Sequence, residues 1–139
     1  MESDIVAPLK IFLVEDDPYL GRVYERAFKF AGYDVEWVAD GKLALERLIA
    51  RDLVPAAIVL DILLPSMNGY DLLREIRKNE RYAPVPIIML TNSFVEHDGD
   101  PYLAAGADAY LIKIDNQSKD VIQKVTDLIN KGRAKAPGA

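Results

Sequence analysis

The sequence predicts an α/β fold, a doubly wound parallel sheet of five strands with helices on both faces. Three observations predict it. Short apolar, β-branched runs alternate with longer amphipathic stretches. The connections between them are short. The run 56–60 (Ala-Ala-Ile-Val-Leu) is apolar without interruption, as a strand buried on both faces must be. The chain has 139 residues, enough for one domain and too few for two. Half are apolar and 28% are charged, which supports a buried core and excludes a disordered or fibrous chain.

The elements follow in order. Residues 9–14 form the first strand, which stops at Glu15, Asp16 and Asp17. Asp17 followed by Pro18 is a helix N-cap and first helical position. The helix behind it carries Leu20, Val23, Tyr24, Ala27 and Phe28 on one stripe, and Gly32 ends it. Residues 33–38 alternate as a second strand, and Asp40-Gly41 opens a second helix through Ile49. The third strand, 56–60, ends at Asp61. After the loop 62–68, a third helix turns Leu72, Leu73 and Ile76 inward. Residues 86–90 make the fourth strand, ending at Thr91. Asp98-Gly99-Asp100-Pro101 breaks any long helix and leaves a short one over about 101–105, capped by Asp100. Residues 109–112 form the fifth strand, ending at Lys113. Ser118 caps the last helix, whose stripe is Val121, Ile122, Val125, Leu128 and Ile129. The domain is therefore expected over 9–131, with an N-terminal extension at 1–8. Residues 132–139 are small and basic, a frayed end or linker stub.

Composition removes several classes of function. With 22 acidic against 17 basic residues, the net charge is −5, which argues against a surface built to neutralise nucleic-acid phosphate or anionic lipid. The absence of cysteine excludes disulfides, thiolate metal sites and thiol nucleophiles. Asp61 and the prolines interrupt the apolar stretches, so nothing is expected to span a bilayer. Residues 1–10 carry two acids before any apolar run, unlike a signal peptide, and a cytoplasmic protein is expected.

In open parallel sheets, ligands sit at the carboxyl ends of the strands, beside the point where strand order reverses. The residues there are Glu15, Asp16 and Asp17 after the first strand, Asp61 after the third, Thr91 after the fourth and Lys113 after the fifth. Two carboxylates about 4 Å apart cost on the order of 4 kcal/mol at an effective dielectric near 20. Such a cluster needs a cation. Lys113 supplies one charge, and oxygen ligands without His or Cys point to a magnesium-like ion that keeps several waters. A carboxylate beside a divalent metal, a lysine and a hydroxyl is equipped for phosphoryl chemistry, with one carboxylate as nucleophile. Asp17 is read as a cap rather than a ligand. Trp37 is read as a strand residue away from the site, His97 as solvated in a polar loop, and the charges of 74–81 as one wet helix face.

Four strings carry a resemblance: Val14-Glu15-Asp16-Asp17-Pro18; Ile58-Val59-Leu60-Asp61 leading to Pro65-Ser66-Met67-Asn68-Gly69; Ile88-Met89-Leu90-Thr91; and Gly106-Ala107-Asp108-Ala109-Tyr110-Leu111-Ile112-Lys113. In this order, each at a strand end, they resemble a response-regulator receiver domain of two-component signalling, over about residues 9–130. The resemblance implies strand order 2-1-3-4-5 and a phosphorylatable switch. Asp61 would accept a phosphoryl group from a histidine kinase or phosphotransfer protein. Asp16 and Asp61, with the Leu63 backbone carbonyl, would bind Mg²⁺ directly, and Glu15 would act through a metal-bound water. Lys113 would pair with Asp61 and then with the phosphoryl group. Thr91 would hydrogen-bond the phosphoryl oxygen, and Tyr110 would change its burial as Thr91 moves. The only catalysis implied is self-catalysed transfer and hydrolysis of the aspartyl phosphate. The output partner is unspecified; a monomer or a phosphorylation-dependent dimer is expected, with no direct nucleic-acid or membrane contact.

Three positions depart from the family's pattern. Ile114 stands where proline usually follows the lysine, Asn92 follows Thr91 where alanine is usual, and Gly99 and Pro101 cut the fourth helix. With isoleucine at 114 the preceding peptide bond is expected to be trans, since cis costs about 2.5–4 kcal/mol before a non-proline residue. Rival functions fit less well. A flavin or nucleotide site needs free amides after the first strand, where three acids stand. A phosphatase of the haloacid-dehalogenase type wants a second acid two residues after Asp61, where Leu63 stands. A non-phosphorylated interaction module has no use for Asp61 and Lys113 together.

Overall fold

The structure, a computed structural model, describes residues 7–50, 54–92 and 100–135. Its elements are β1 (Lys10–Val14), α1 (Pro18–Phe30), β2 (Asp34–Val38), α2 (Gly41–Ala50), β3 (Ala57–Asp61), α3 (Gly69–Arg77), β4 (Ile87–Thr91), α4 (Asp100–Ala104), β5 (Ala109–Ile112) and α5 (Ser118–Lys135). All strands are parallel, in the order β2-β1-β3-β4-β5. The chain thus starts inside the sheet, builds one edge, then crosses back over β1 to build the other. Right-handed crossovers, the first running one way and the later ones the other, put α1 and α5 on one face of the sheet and α2, α3 and α4 on the other.

Two apolar clusters separated by the sheet record this. Phe12, Val14, Ile58, Leu60, Ile87 and Met89 face α2 and α3, meeting Ala44, Leu48, Leu72, Leu73 and Ile76. The alternate residues Ile11, Leu13, Ala57, Val59, Ile88 and Leu90 face α1 and α5, meeting Tyr24, Phe28, Val121, Val125 and Ile129. Every residue of β3 and β4 is buried, so their continuous apolar runs are the two-faced burial the sequence implies. The turn from β1 into α1 is held by Asp17, whose Oδ1 accepts from the Tyr19 and Leu20 amides at 2.8 and 3.2 Å. Pro18 follows at the first helical position, where a missing N–H costs nothing.

Several expectations are corrected. Ser118 begins α5 rather than capping it: the Gln117 carbonyl accepts the first helical bonds, and Asp120 Oδ2 reaches back to the Gln117 amide at 2.9 Å. The fourth-residue acid thus does the work expected of the serine hydroxyl. Helix α5 continues through Gly132 to Lys135, past the expected start of the tail. One glycine costs a helix only about 1 kcal/mol, and the good helix formers Ala134 and Lys135 follow it. Helix α4 begins at Asp100, one residue early. His97 and Gly99 lie outside the described residues.

The 74–81 segment is not simply a wet face. The partly buried Arg77 guanidinium lies against three carbonyls, donating from Nη1 to Tyr82 at 2.6 Å, from Nη2 to Val85 at 2.9 Å and from Nε to Gly106 at 2.9 Å. Its Nη2 also meets Asp108 Oδ2 at 3.0 Å, and that oxygen accepts from the Ile87 amide at 2.9 Å. One side chain thereby fastens the entries to β4 and β5 to the end of α3. Burial pulls the Arg77 pKa below its usual value while Asp108 opposes the shift. Replacing Arg77 with Met strands three carbonyls and a carboxylate, so we expect a loss of about 2–4 kcal/mol of stability in urea titrations. A loss below about 0.5 kcal/mol, the size of an ordinary surface change, would contradict the fastening role.

Candidate functional site at the strand switch point

Strands β1 and β3 are neighbours, and the chain leaves them in opposite directions, so the switch point lies between their carboxyl ends. Glu15 and Asp16 follow β1 directly, and Asp61 closes β3. One oxygen from each of these three carboxylates falls within 4.8 Å of the others. Glu15 and Asp61 are buried, at 1% and 5% exposure, whereas Asp16 faces solvent.

Lys113 resolves the repulsion. It follows β5, and its Nζ donates to Glu15 Oε1 at 2.6 Å and to Asp61 Oδ2 at 3.0 Å. The pairing expected with Asp61 is present. The tighter contact to Glu15 was not anticipated. Burial pushes the Glu15 carboxyl up to about 7; the Lys113 hydrogen bond opposes this and the Asp61 charge adds to it. Burial pulls Lys113 down, but its hydrogen bond to Glu15 and the two acidic charges outweigh that and leave it raised.

The remaining oxygens show where the site is held and where it is open. Glu15 Oε2 accepts from the Asp17 amide at 3.0 Å, so both of its oxygens are engaged. Among the described residues, Asp61 Oδ1 has only a long 3.4 Å contact, from the Leu63 amide. Gly69 lets α3 start against this loop: its amide bonds the Ile62 carbonyl at 2.7 Å, and a Cβ there would overlap the Asp61 carbonyl. Ser66, at φ 69°, is held in the left-handed region by its Oγ, 2.6 Å from Asp40 Oδ1. Leu63 lies between those two anchors with its side chain exposed.

Thr91 ends β4, buried, paired in register with Ile112 just before Lys113. Tyr110 is half-buried on β5 with its ring centroid 5.4 Å from that of Tyr102 on α4, which in turn meets Tyr70 on α3 at 5.5 Å. Among the described residues no peptide bond is cis, so the Lys113–Ile114 bond is trans as expected. It lies in a 3-10 turn, Lys113–Asp115, that leaves Ile114 73% exposed. Beside it a groove of about 510 Å³ opens between α1 and the loop after β5, lined by Leu20, Val23, Asn92, Lys113, Ile114 and Asn116.

Trp37 is nearer the site than the sequence reading put it. Its indole Nε1–H donates to the Glu15 carbonyl at 2.8 Å, and its ring lies against Gly21 of α1, where a Cβ would overlap it.

A buried carboxylate with one loosely held oxygen, a bridging lysine, a hydroxyl at the next strand end and a second acid facing solvent meet at the switch point of a parallel sheet, a set of groups suited to phosphoryl chemistry. Comparison with known proteins agrees. The family described as "Response regulator receiver domain" matches residues 11–126, and the chain belongs to that family, the phosphorylatable switches of two-component signalling. The chain is 34% identical over 104 residues to the DNA-binding dual master transcriptional regulator RpaA of Synechocystis, covering 75% of this chain and 42% of that protein. It is 33% identical over 112 residues to the probable methanogenesis regulatory protein FilR2 of Methanothrix harundinacea, covering 76% of this chain and 72% of that one. The chain thus spans about two fifths of RpaA's length. Among solved structures, the receiver domain of the sensor histidine kinase PA1611 from Pseudomonas aeruginosa, with magnesium coordinated in its active-site cleft, has a TM-score of 0.78 at 35% identity; the match covers 89% of this chain and 99% of that one. A receiver domain from Methanospirillum hungatei has a TM-score of 0.81 at 25% identity, covering 93% and 99%.

The Lys113 bridge yields a direct test. Lys113→Met leaves two buried carboxylates without a cation, which costs about 3–5 kcal/mol when one partner of a buried pair is removed. A carboxyl whose folded-state pKa is raised favours folding below its ordinary value, 4.5 for Glu15, and loses that contribution as pH rises through about 7. Without Lys113 the opposition to that rise is gone, so the variant's deficit should be larger at pH 8 than at pH 5 in urea titrations. Equal deficits at both pH values would count against the bridge.

Proposed function

We propose that the chain accepts one phosphoryl group on Asp61 in a Mg²⁺-dependent reaction, with a histidine kinase or phosphotransfer protein as donor. The observation that carries this is the single ammonium of Lys113 shared by Glu15 and Asp61, with Asp16 beside them. In the reaction an Asp61 oxygen attacks phosphorus, the bond from phosphorus to the donor imidazole breaks, and that nitrogen leaves with the electron pair. Asp61 Oδ1, held only by the long Leu63 contact, is the freer oxygen. Lys113 stays on the other oxygen and meets the incoming phosphoryl charge. Thr91, at the end of the neighbouring strand, donates its hydroxyl to a phosphoryl oxygen. Hydrolysis of the resulting acyl phosphate by water returns the free carboxylate. The groove beside Lys113 gives a donor side chain a way in.

The donor set fits Mg²⁺. An octahedral ion with bonds of about 2.0–2.1 Å spaces its ligand oxygens by roughly 3–4 Å, and the three carboxylates, with oxygens within 4.8 Å of one another, are near enough to close on one. Asp16, Asp61 and the Leu63 carbonyl would hold it, and Glu15, with both oxygens engaged, would act through a metal-bound water. When bound, Mg²⁺ neutralises phosphoryl oxygens that the acids alone would repel. The added charge on Asp61 biases a two-state equilibrium, read by a partner at the surface of α4, β5 and α5 through Thr91 and Tyr110. We place this switch in the cytoplasm, as a monomer or a phosphorylation-dependent dimer, without nucleic-acid contact of its own.

Two measurements test the reading. Incubation with acetyl phosphate and Mg²⁺ should add the mass of one phosphoryl group, labile to hydroxylamine, and Asp61→Asn should not label. Undiminished labelling of that variant would sink the assignment. Separately, Mg²⁺ at a hundredfold excess over Kd should stabilise the fold by about 2.7 kcal/mol, and Asp16→Ala should remove most of that gain. A melting temperature indifferent to millimolar Mg²⁺ would remove the metal from the proposal.

A further inference from the structure

We propose that Trp37 is a positioning residue for the metal ligand Asp16, acting through the peptide plane that joins Glu15 to Asp16. The inference rests on the Mg²⁺ reading above and adds a residue to it. Among the described residues no side chain or backbone group bonds the Asp16 carboxylate, and the residue faces solvent. Its direction is therefore set by its backbone. The Glu15 carbonyl and the Asp16 amide nitrogen belong to one rigid plane, so whatever orients the carbonyl orients the start of Asp16.

Three contacts fix that plane and its flanks. The Glu15 amide donates to the Val38 carbonyl at 3.1 Å, continuing the β1–β2 ladder one residue beyond β1. On the other side, Asp17 caps α1. The carbonyl between them is held by the Trp37 indole N–H at 2.8 Å. The indole itself cannot wander: Trp37 sits opposite Leu13 in the ladder, and its ring lies on Gly21, the one place on α1 without a Cβ to repel it. An aromatic ring seated on a glycine and bonded to the carbonyl between two acids is more than packing requires. Partners of this outer kind typically change metal affinity by about 10- to 100-fold.

The experiment separates the N–H from the ring. Trp37→Phe removes the donor and some bulk; replacement of Trp37 by benzothienylalanine exchanges only the N–H for sulfur and keeps the shape. Mg²⁺ affinity is read by calorimetry, and the metal-free melting temperature is read alongside it. We expect the isosteric replacement to weaken Mg²⁺ binding by on the order of tenfold while leaving the metal-free melting temperature within about 3 °C of wild type. Trp37→Phe should show the same loss of affinity. Mg²⁺ binding by the isostere within twofold of wild type overturns the inference and leaves the metal site standing. A loss of affinity matched by general destabilisation overturns it too, because the ring would then serve only the fold. Failure of the wild-type chain to bind Mg²⁺ overturns the metal reading and the inference with it.

Discussion

The ammonium of Lys113 between Glu15 and Asp61 is the contact on which the carboxyl edge of the sheet depends. Two buried carboxylates on adjacent strands would repel by several kcal/mol without it. Yet β5 and β1 are three strand spacings apart, about 14 Å, further than one flexible stem spans alone. The Glu15 and Lys113 side chains meet across the ends of β3 and β4, and the chain after β5 enters a 3-10 turn. The tight start of α3 at Gly69 belongs to the same requirement, since it keeps backbone close to Asp61 without adding charge to the cluster.

What the sequence made legible was whatever depends on periodicity and strand ends. The uninterrupted apolar runs of β3 and β4, too short for helices and bounded by turn residues, are two-faced strands, and the stripes of α1, α3 and α5 turn toward the core, with Tyr24, Phe28, Leu72, Leu73, Ile76, Val121, Val125 and Ile129 buried. Asp17-Pro18 declared a helix start because both residues suit only that place. Once five strands were counted, parallel topology forced Glu15, Asp61, Thr91 and Lys113 to one edge. The site could be assembled from register alone.

What it hid were contacts between residues distant in sequence and ordinary in type. Arg77 shares its helix with three other charges, and only the tertiary structure shows that three carbonyls from two later segments converge on it. Gln117 and Asp120 share a cap that a nearby serine seemed to own. Trp37 offered one clue that could have been read: Gly21 interrupts the best part of the α1 stripe, where alanine would be better by about 1 kcal/mol. A glycine kept at that cost marks something large lying against the helix.

Arg77 and Lys113 divide the sheet between them. The first binds the amino ends of β4 and β5, the second the carboxyl ends of the strands, and five residues of strand, roughly 17 Å, lie between. At an effective dielectric near 20, two unit charges that far apart interact by about 1 kcal/mol, against about 4 kcal/mol at a contact of about 4 Å. A new charge at Asp61 is therefore felt only weakly at the arginine clasp. Whatever reaches the far edge has to travel as displaced side chains through the two apolar layers, and the clasp gives those layers a fixed end to move against. The fold is anchored at one end of the sheet and charged at the other.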